Sequence, residues 1–269
     1  MIDISKLRDK YIAEKFKLDD ANAKVAQDLV LLKISKIGFS NKITIKGGVV
    51  IQSISNDYRR ATQDMDLDFI KYSLEDESIK KFIDKLNTIN DGIKINITGN
   101  IKPLKHQDYK GKQVYINLTD VNGNKITTKL DFGVHKNVDI VQEEYWFNFN
   151  SLGESAKLLI NSKEQIFIEK LKSLLKFDYL STRYKDIFDF YYLINNTQLD
   201  KKKMLNYLEL YIFKDSKIKV SSVSDIFNQL TSIFNNPRFT RSLTDIKNNW
   251  LELPINEVTN SILDYFKEL

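Results

Sequence analysis

Three aspartates alternate with apolar residues in the segment from Asp64 to Phe69. A period of two is typical of a strand with one buried and one open face, so Asp64, Asp66 and Asp68 are expected to point the same way. Same-face residues on a strand lie roughly 7 Å apart. This spacing suits two divalent ions about 3.5–4 Å apart that clamp an in-line phosphoryl transfer. Because like charges on one strand face cost stability unless cations neutralise them, the segment is a candidate functional site.

A glycine pair precedes this segment. Gly47 and Gly48 end a β-branched run that starts at Ile43, and they lead into the apolar run Val49-Val50-Ile51. The order predicts a strand, a glycine turn and a helix. Glycine lets the backbone approach a ligand closely, and the first amides of a helix can bind a phosphate. The pair therefore indicates a corner at which a phosphate could bind.

Together these residues resemble the signature of the AbiEii/AbiGii toxin nucleotidyltransferases, a branch of the DNA polymerase β-like nucleotidyltransferase superfamily. The signature covers Lys46-Gly47-Gly48 and the run from Arg60 to Leu67. The resemblance implies that Asp64 and Asp66 bind the metal, and it leaves the role of Asp68 open. The nucleotide-binding residues that it implies are Lys46, Gly47, Gly48, Arg60 and Thr62. The superfamily usually has Gly-Ser where this chain has Gly-Gly, so a serine contact to phosphate is not available.

A third carboxylate follows in the alternating segment 125–132, where Thr127, Lys129 and Asp131 share one strand face. On the residues alone, the preferred interpretation of Asp131 is an ordinary acid at the end of a strand. The superfamily needs a carboxylate on a neighbouring strand, where it acts with the metals to deprotonate the attacking hydroxyl. The resemblance thus implies that Asp131 is a catalytic residue and a third metal ligand.

A capping box formed by Ser162 and Gln165 predicts a helix that continues through Phe177. Lys170 lies beside the apolar stripe of this helix, where a lysine must either snorkel to solvent or meet an anion. If the charge is an awkward one at the edge of the stripe, Lys170→Ala is expected to leave the fold nearly intact or slightly stabilised.

The next predicted helix carries Arg183, Asp186 and Asp189 on one face. Charges of alternating sign on a helix are usually solvated pairs. With Lys170, however, these residues resemble two later family motifs, an "E-K" helix and an "(R/K)-D-x-x-D" helix. The resemblance implies that Lys170 contacts the nucleotide phosphates and that Asp186 belongs to the active site. For Asp189 the alternative is a structural role in hydrogen bonds between helices.

The predicted fold class is α/β. Residues 1–150 are expected to form a polymerase β-like nucleotidyltransferase domain with a mixed sheet, and residues 151–269 a helical domain that completes the active-site cleft. The N-terminal part is predicted to be helical over residues 2–37. Alternating residues and an Asn122-Gly123 hairpin signal predict the later strands at 93–97, 113–118 and 125–132.

Composition excludes several classes of site. The chain of 269 residues has no cysteine, which excludes disulfides, thiolate metal sites and cysteine nucleophiles, and its two histidines argue against a histidine-rich metal site. The net charge of +5 favours a polyanionic partner. We find neither a signal peptide nor an apolar run long enough to cross a bilayer. A cytoplasmic protein without a membrane partner is therefore expected.

The resemblance also implies partners. These are Mg²⁺ (or Mn²⁺) as cofactor, an NTP as substrate, and an RNA acceptor, with the 3′ end of tRNA as the leading candidate. The chain would be the toxin of a toxin–antitoxin or phage abortive-infection system with a cognate antitoxin encoded nearby. Two alternatives stay open: a nucleotidyltransferase acting on a small, aminoglycoside-like acceptor, and a non-catalytic nucleotide-binding module.

Overall fold

A computed structural model of the chain describes residues 1–104, 111–135 and 140–269. The chain divides into two compact units, Met1–Asn161 and Ser162–Leu269. The first unit combines helices with a mixed β-sheet and the second is helical, so the predicted α/β class is confirmed. Among the described residues, every helix is too short or too polar to span a membrane.

The first unit is built around one seven-stranded sheet. Its helices are α1 (Ile4–Ala13), α2 (Leu18–Lys36), α3 (Gly48–Ser55) and α4 (Asp76–Leu86). Its strands are β1 (Ile43–Lys46), β2 (Asp64–Phe69), β3 (Lys94–Pro103), β4 (Lys112–Thr119), β5 (Lys125–Val134), β6 (Glu143–Phe149) and β7 (Glu154–Ile160). The strand order is β3-β4-β5-β2-β1-β7-β6. The pairs β2/β5 and β1/β7 are parallel and the other neighbouring strands are antiparallel.

Burial of the apolar side chains on one face of the central strands determines which side chains project from the opposite face. Met65, Leu67 and Phe69 of β2 are fully buried. The Phe69 ring stacks on Phe132 of β5 with centroids 5.1 Å apart, and Phe82 of α4 packs edge-on against both rings. Burying each side chain of this size contributes about 1.5–3 kcal/mol. The intervening aspartates of β2 are thereby held on the other face of the sheet.

The N-terminal region, predicted to be helical over residues 2–37, consists of two helices. The chain leaves α1 after Ala13, adopts a left-handed conformation at Lys15 with φ of 73°, and is extended at Lys17 before α2 begins. A non-glycine residue with positive φ cannot continue a right-handed helix. The long second helix packs on β5 and β7.

Strand β7 corrects the expectation of helical structure directly beyond residue 150. In β7, Ala156, Leu158 and Ile160 are buried and alternate with more exposed residues. The partner of this strand is β1, far away in sequence, so the pairing could not be inferred from local pattern. The first compact unit therefore continues to Asn161.

The second unit is an assembly of helices. They are α5 (Lys163–Phe177), α6 (Lys185–Asn196), α7 (Lys201–Leu208), α8 (Val223–Phe234), α9 (Pro237–Leu243) and α10 (Ile255–Glu268). As the capping box predicts, Ser162 Oγ accepts a hydrogen bond from the backbone amide of Gln165 at 3.2 Å. Phe167 packs against Phe190 and Phe266 at the core of this unit.

Candidate active site

The carboxylates of β2 lie on the face opposite to the buried apolar residues, as their alternation predicts. The parallel register pairs Asp66 of β2 directly with Asp131 of β5, and pairs Asp64 with Lys129. Residues that pair across neighbouring strands project from the same face of the sheet. Asp64, Asp66 and Asp131 therefore share one face, with a lysine among them.

The glycine corner lies against this face because both glycines lack a side chain. Gly47 adopts φ of 67° and ψ of −141°, and a Cβ added there would lie only 2.5 Å from Asp66 Oδ2. Gly48 opens α3, and a Cβ there would lie 2.7 Å from Thr62 Oγ1. The carbonyl of Thr62 is held in turn by Gln27, whose Nε2 donates to it at 2.7 Å. The start of α3, Thr62 and the Asp66 carboxylate thus form one tight corner.

Lys129 is the cation that balances the carboxylates in this arrangement. Its Nζ lies 2.9 Å from Asp64 Oδ2 and 3.3 Å from Asp131 Oδ2. Gln113 Nε2 donates to the other oxygen of Asp131 at 3.4 Å. Burial raises the pKa of Asp131 above its ordinary value, and the attraction to Lys129 and the hydrogen bonds from Lys129 and Gln113 offset only part of this effect. The Lys129 pKa is also raised, because its two carboxylate partners outweigh burial, which acts in the opposite direction.

Lys46 and Asp68 form a separate ion pair one step along the same face. Lys46 Nζ lies 2.9 Å from Asp68 Oδ1, and both residues are buried. The sequence left Asp68 without a role, and this contact supplies one because it neutralises the innermost carboxylate of β2. Arg60 is buried as well, on a short 3₁₀ turn between α3 and β2.

The donor chemistry of this face suits a hard divalent cation. Magnesium and manganese prefer carboxylate oxygens, which Asp64, Asp66 and Asp131 provide. In the described part of the chain, no three acidic or histidine side chains converge on a point that could enclose a metal ion. The Lys129 ammonium instead bridges two of the three carboxylates. The face therefore fits such an ion in ligand type, with Lys129 as the competing cation.

Lys170 and Asp186 lie in the second unit, where they contact each other. Lys170 Nζ forms an ion pair with Asp186 and a second one with Asp189 at 3.1 Å. Arg183 Nε lies 2.6 Å from the other oxygen of Asp186, and Trp250 Nε1 donates to Asp189 at 3.1 Å. Burial favours a higher pKa for Asp186, but the attraction of Lys170 and Arg183 outweighs it and holds that pKa below its usual range.

These contacts correct the expected effect of removing Lys170. Lys170 is 4% exposed and meets two buried carboxylates, so it does not lie as an unpartnered charge at the edge of an apolar stripe. Removing one partner from a buried ion pair leaves an uncompensated charge in the low-dielectric interior of the protein. Of the two roles considered for Asp189, the hydrogen bond from Trp250 supports the structural one.

Two contributors to the first unit's site were not assigned roles from the sequence. Lys129 was recognised only as sharing a strand face with Asp131, and Gln113 was not singled out. The alternation of β5 indicated that Lys129, two residues before Asp131, lies on the same face of the strand as the Asp131 carboxylate. The contact of Lys129 with Asp64 depends on the parallel register of β2 and β5, which local sequence does not contain.

Comparison with known proteins gives a family match. Residues 29–251 match the family model described as "Nucleotidyl transferase AbiEii toxin, Type IV TA system". Among solved structures, the chain is similar to an antigenic nucleotidyltransferase-like protein from Paracoccidioides brasiliensis. The sequence identity is 16% and the TM-score 0.43, over 82% of this chain and 92% of that one. No curated protein matches the sequence.

The contact between Gly47 and Asp66 predicts an unusually costly Gly47→Ala substitution. Gly38 is a matched control, because its φ is also about 70° but a Cβ there would meet no atom within 4 Å. Gly38→Ala should cost about 1–2 kcal/mol from the left-handed backbone. Gly47→Ala should cost more, since the added carbon also displaces the Asp66 carboxylate. Equal losses of unfolding free energy in urea denaturation would show that the Asp66 contact does not matter.

The bridge made by Lys129 predicts a change in the titration of Asp131. Lys129→Met removes the attraction that lowers the Asp131 pKa, so this pKa should rise further above its ordinary value. Lys129→Arg keeps the positive charge and should shift the pKa less. Carboxyl ¹³C NMR titration of the three proteins measures the effect directly. An unchanged Asp131 pKa in Lys129→Met would contradict the bridge.

The buried ion pairs of Lys170 predict that Lys170→Ala destabilises the protein. The substitution leaves Asp186 and Asp189 without their shared cation, and the expected cost is about 3–5 kcal/mol. Lys176→Ala is the control, because this lysine is exposed near the end of the same helix. Denaturant unfolding should separate the two variants clearly, and equal stability would mean that the Lys170 charge is not needed by its carboxylate partners.

Proposed function

Because the chain belongs to the AbiEii nucleotidyltransferase toxin family of type IV toxin–antitoxin systems, we propose that it transfers a nucleoside monophosphate from an NTP to an acceptor hydroxyl. The resemblance inferred from the signature residues is confirmed by the family match. One observation carries the proposed activity: Asp66 and Asp131 are direct cross-strand partners on the face that the Gly47 corner borders.

The glycine corner is the proposed site for the triphosphate. The absence of side chains at Gly47 and Gly48 lets the backbone pack closely against Asp66 and Thr62 at the start of α3, where the positive end of the helix dipole would favour a phosphate. Thr62 lies beside the corner and offers a hydroxyl donor. Lys46 and Arg60 are buried, and Lys46 is paired with Asp68, so we leave the direct phosphate contacts to Thr62 and the amides.

Asp64, Asp66 and Asp131 are the residues that we expect to hold Mg²⁺ or Mn²⁺. The ion would neutralise charge on the phosphates and lower the pKa of a bound hydroxyl. Asp64 is the most exposed of the three, with 54% of its side chain accessible, and so is the one most easily reoriented. Lys129 would then exchange its contacts with Asp64 and Asp131 for solvent or phosphate, since its Nζ lies at the end of a flexible stem.

Asp131 is the proposed acceptor of the proton. The acceptor oxygen forms a bond to the α-phosphorus while the bond to the β-phosphate oxygen breaks, pyrophosphate leaves, and the hydroxyl proton passes to the Asp131 carboxylate. Burial raises the pKa of this group, which makes it a stronger base than an exposed aspartate.

In the second unit we propose that Asp186 holds Lys170 and Arg183 in place, and that Arg183 binds a nucleotide phosphate. Asp186 holds both cations, and 53% of the Arg183 side chain is exposed whereas Lys170 is almost inaccessible. Arg183 is therefore the better candidate for a direct contact, and Lys170 is assigned as a positioning residue. This refines the direct phosphate contact that the sequence resemblance implied for Lys170.

The family also implies an antitoxin partner. We propose that the acceptor is the 3′ end of an RNA, with tRNA as the leading candidate, and that modification of this RNA in the cytoplasm produces toxicity. The net charge of +5 supports a polyanionic acceptor over a small cationic one.

A labelling experiment tests this activity. Incubation with NTPs labelled at the α-phosphate, Mg²⁺ and total cellular RNA should transfer label to RNA, and Asp66→Asn should reduce the transfer by at least about 10³-fold, a size common for the loss of one essential catalytic group. Asp84→Asn, in the exposed part of α4, is the matched control and should remain active.

The outcome separates three hypotheses. Label in a small molecule and never in RNA would favour the small-acceptor enzyme. Absence of transfer to any acceptor, with NTP binding unaffected by Asp66→Asn and by removal of Mg²⁺, would favour a non-catalytic nucleotide-binding module.

A further inference from the structure

One half of the sheet leaves a polar face uncovered. Strands β3, β4 and β5 bury the side chains on one face of the sheet. Every second residue projects from the other face, and the strand registers place these residues side by side in three columns, one column for each strand. We call these positions the open face. They are Lys94, Asn96, Thr98 and Lys102 of β3; Gln113, Tyr115, Asn117 and Thr119 of β4; and Lys125, Thr127, Lys129 and Asp131 of β5. The candidate catalytic residue Asp131 thus ends one column of this face.

The charge of the open face has one dominant sign. It carries four lysines, of which Lys94, Lys102 and Lys125 are exposed, and Asp131 is its one carboxylate among the described positions. The remaining positions are amides, hydroxyls and one tyrosine. A surface of this composition attracts a polyanion and offers donors and acceptors to its bases.

Tyr115 gives the open face an aromatic centre. It pairs with Lys129 across the strands and is 42% exposed, although a tyrosine of this size would bury much more surface in a core. A cavity of about 410 Å³ opens beside it, lined in part by Asp64, Lys125, Thr127 and Lys129. Lys129 lies directly opposite Tyr115, and Lys94 and Lys125 lie further along the same face, at the level of Thr119. An exposed aromatic ring on a basic surface is the usual platform for an unpaired base.

From these observations we propose that the open face binds the single-stranded end of the RNA acceptor. Tyr115 stacks on a base, Lys94 and Lys125 contact phosphates, and Asn96 and Asn117 present amides to base edges. The RNA ends beside Asp131 and Asp64, where its terminal hydroxyl meets the proposed catalytic carboxylates. This inference rests on the proposed function, and it adds the acceptor site that the family match does not assign.

Fluorescence anisotropy with a short labelled single-stranded RNA and the full chain, without NTP, tests the site. Tyr115→Leu should weaken binding about tenfold, since one stacked base contributes on this scale, whereas Tyr115→Phe should retain binding. Lys94→Gln combined with Lys125→Gln should weaken binding and reduce the slope of log K against log salt by about 1.4, for two phosphate contacts to a single strand.

The control variant removes the same number of positive charges from another surface of the protein. Lys80→Gln combined with Lys81→Gln removes two exposed lysines from α4, which covers the opposite face of the sheet, and should leave RNA binding nearly unchanged. The same RNA as a duplex and the same sequence as DNA complete the comparison. Equal losses in the two lysine pairs, tighter binding of the duplex or of DNA, or wild-type affinity in Tyr115→Leu would overturn the proposal.

Failure of this site and failure of the enzyme activity are distinguishable. If Tyr115→Leu still labels RNA like the wild type while Asp66→Asn does not, the activity stands and the acceptor binds elsewhere. If the wild type labels no RNA but the anisotropy differences appear, the open face binds RNA without the proposed transfer. Thermal melting checks that the exposed substitutions leave the fold unchanged.

Discussion

The register between β2 and β5 is the constraint on which the site depends. Because the side-chain period of a strand is two, a slip of one residue would move every carboxylate of β2 to the buried face and every apolar residue to the open one. Phe69 and Phe132 oppose such a slip, since their stacked rings are buried together with Phe82. The same pairing that satisfies the apolar face sets Asp66 beside Asp131. The chemistry of one face is therefore specified by the packing of the other.

The carboxylates that this register collects need neutralisation, and the chain supplies it unequally. Asp68 is buried and forms an ion pair with Lys46, which fits a structural role. Asp64 and Asp131 share Lys129, whose side chain is partly exposed to solvent. The charge of Asp68 is thus balanced by a buried cation, and the charges of Asp64 and Asp131 by a cation that solvent reaches. The proposed binding of a divalent cation would require the second kind of balance, at the exposed edge of the site.

The sequence predicted the parts of this site that follow from local pattern. Alternation gave β2 and β5, the glycine pair gave the corner before α3, and Ser162 with Gln165 gave the start of α5, because each of these features is decided within a few residues. The contacts of Lys129, the two carboxylate partners of Lys170 and the pairing of β7 with β1 depend on residues distant in the chain. Local periodicity contains no register, so it could not predict them. Lys170 shows the consequence: its spacing beside an apolar stripe was correct, but its partners reverse the expected effect on stability.

The distribution of charge across the sheet suggests why the carboxylates lie where they do. The open face is positive along its length and becomes negative only at its β2 border, where Asp131 meets Asp64 and Asp66. A polyanion drawn to the lysines is repelled by those carboxylates unless cations intervene. Its phosphates therefore gain most by remaining over β3 to β5, whereas a terminal hydroxyl, which is uncharged, can approach the acids at little electrostatic cost. A sheet with this charge gradient would orient the proposed RNA acceptor, with its phosphates over the lysines and its terminal hydroxyl at the carboxylates, without any contact specific to one base.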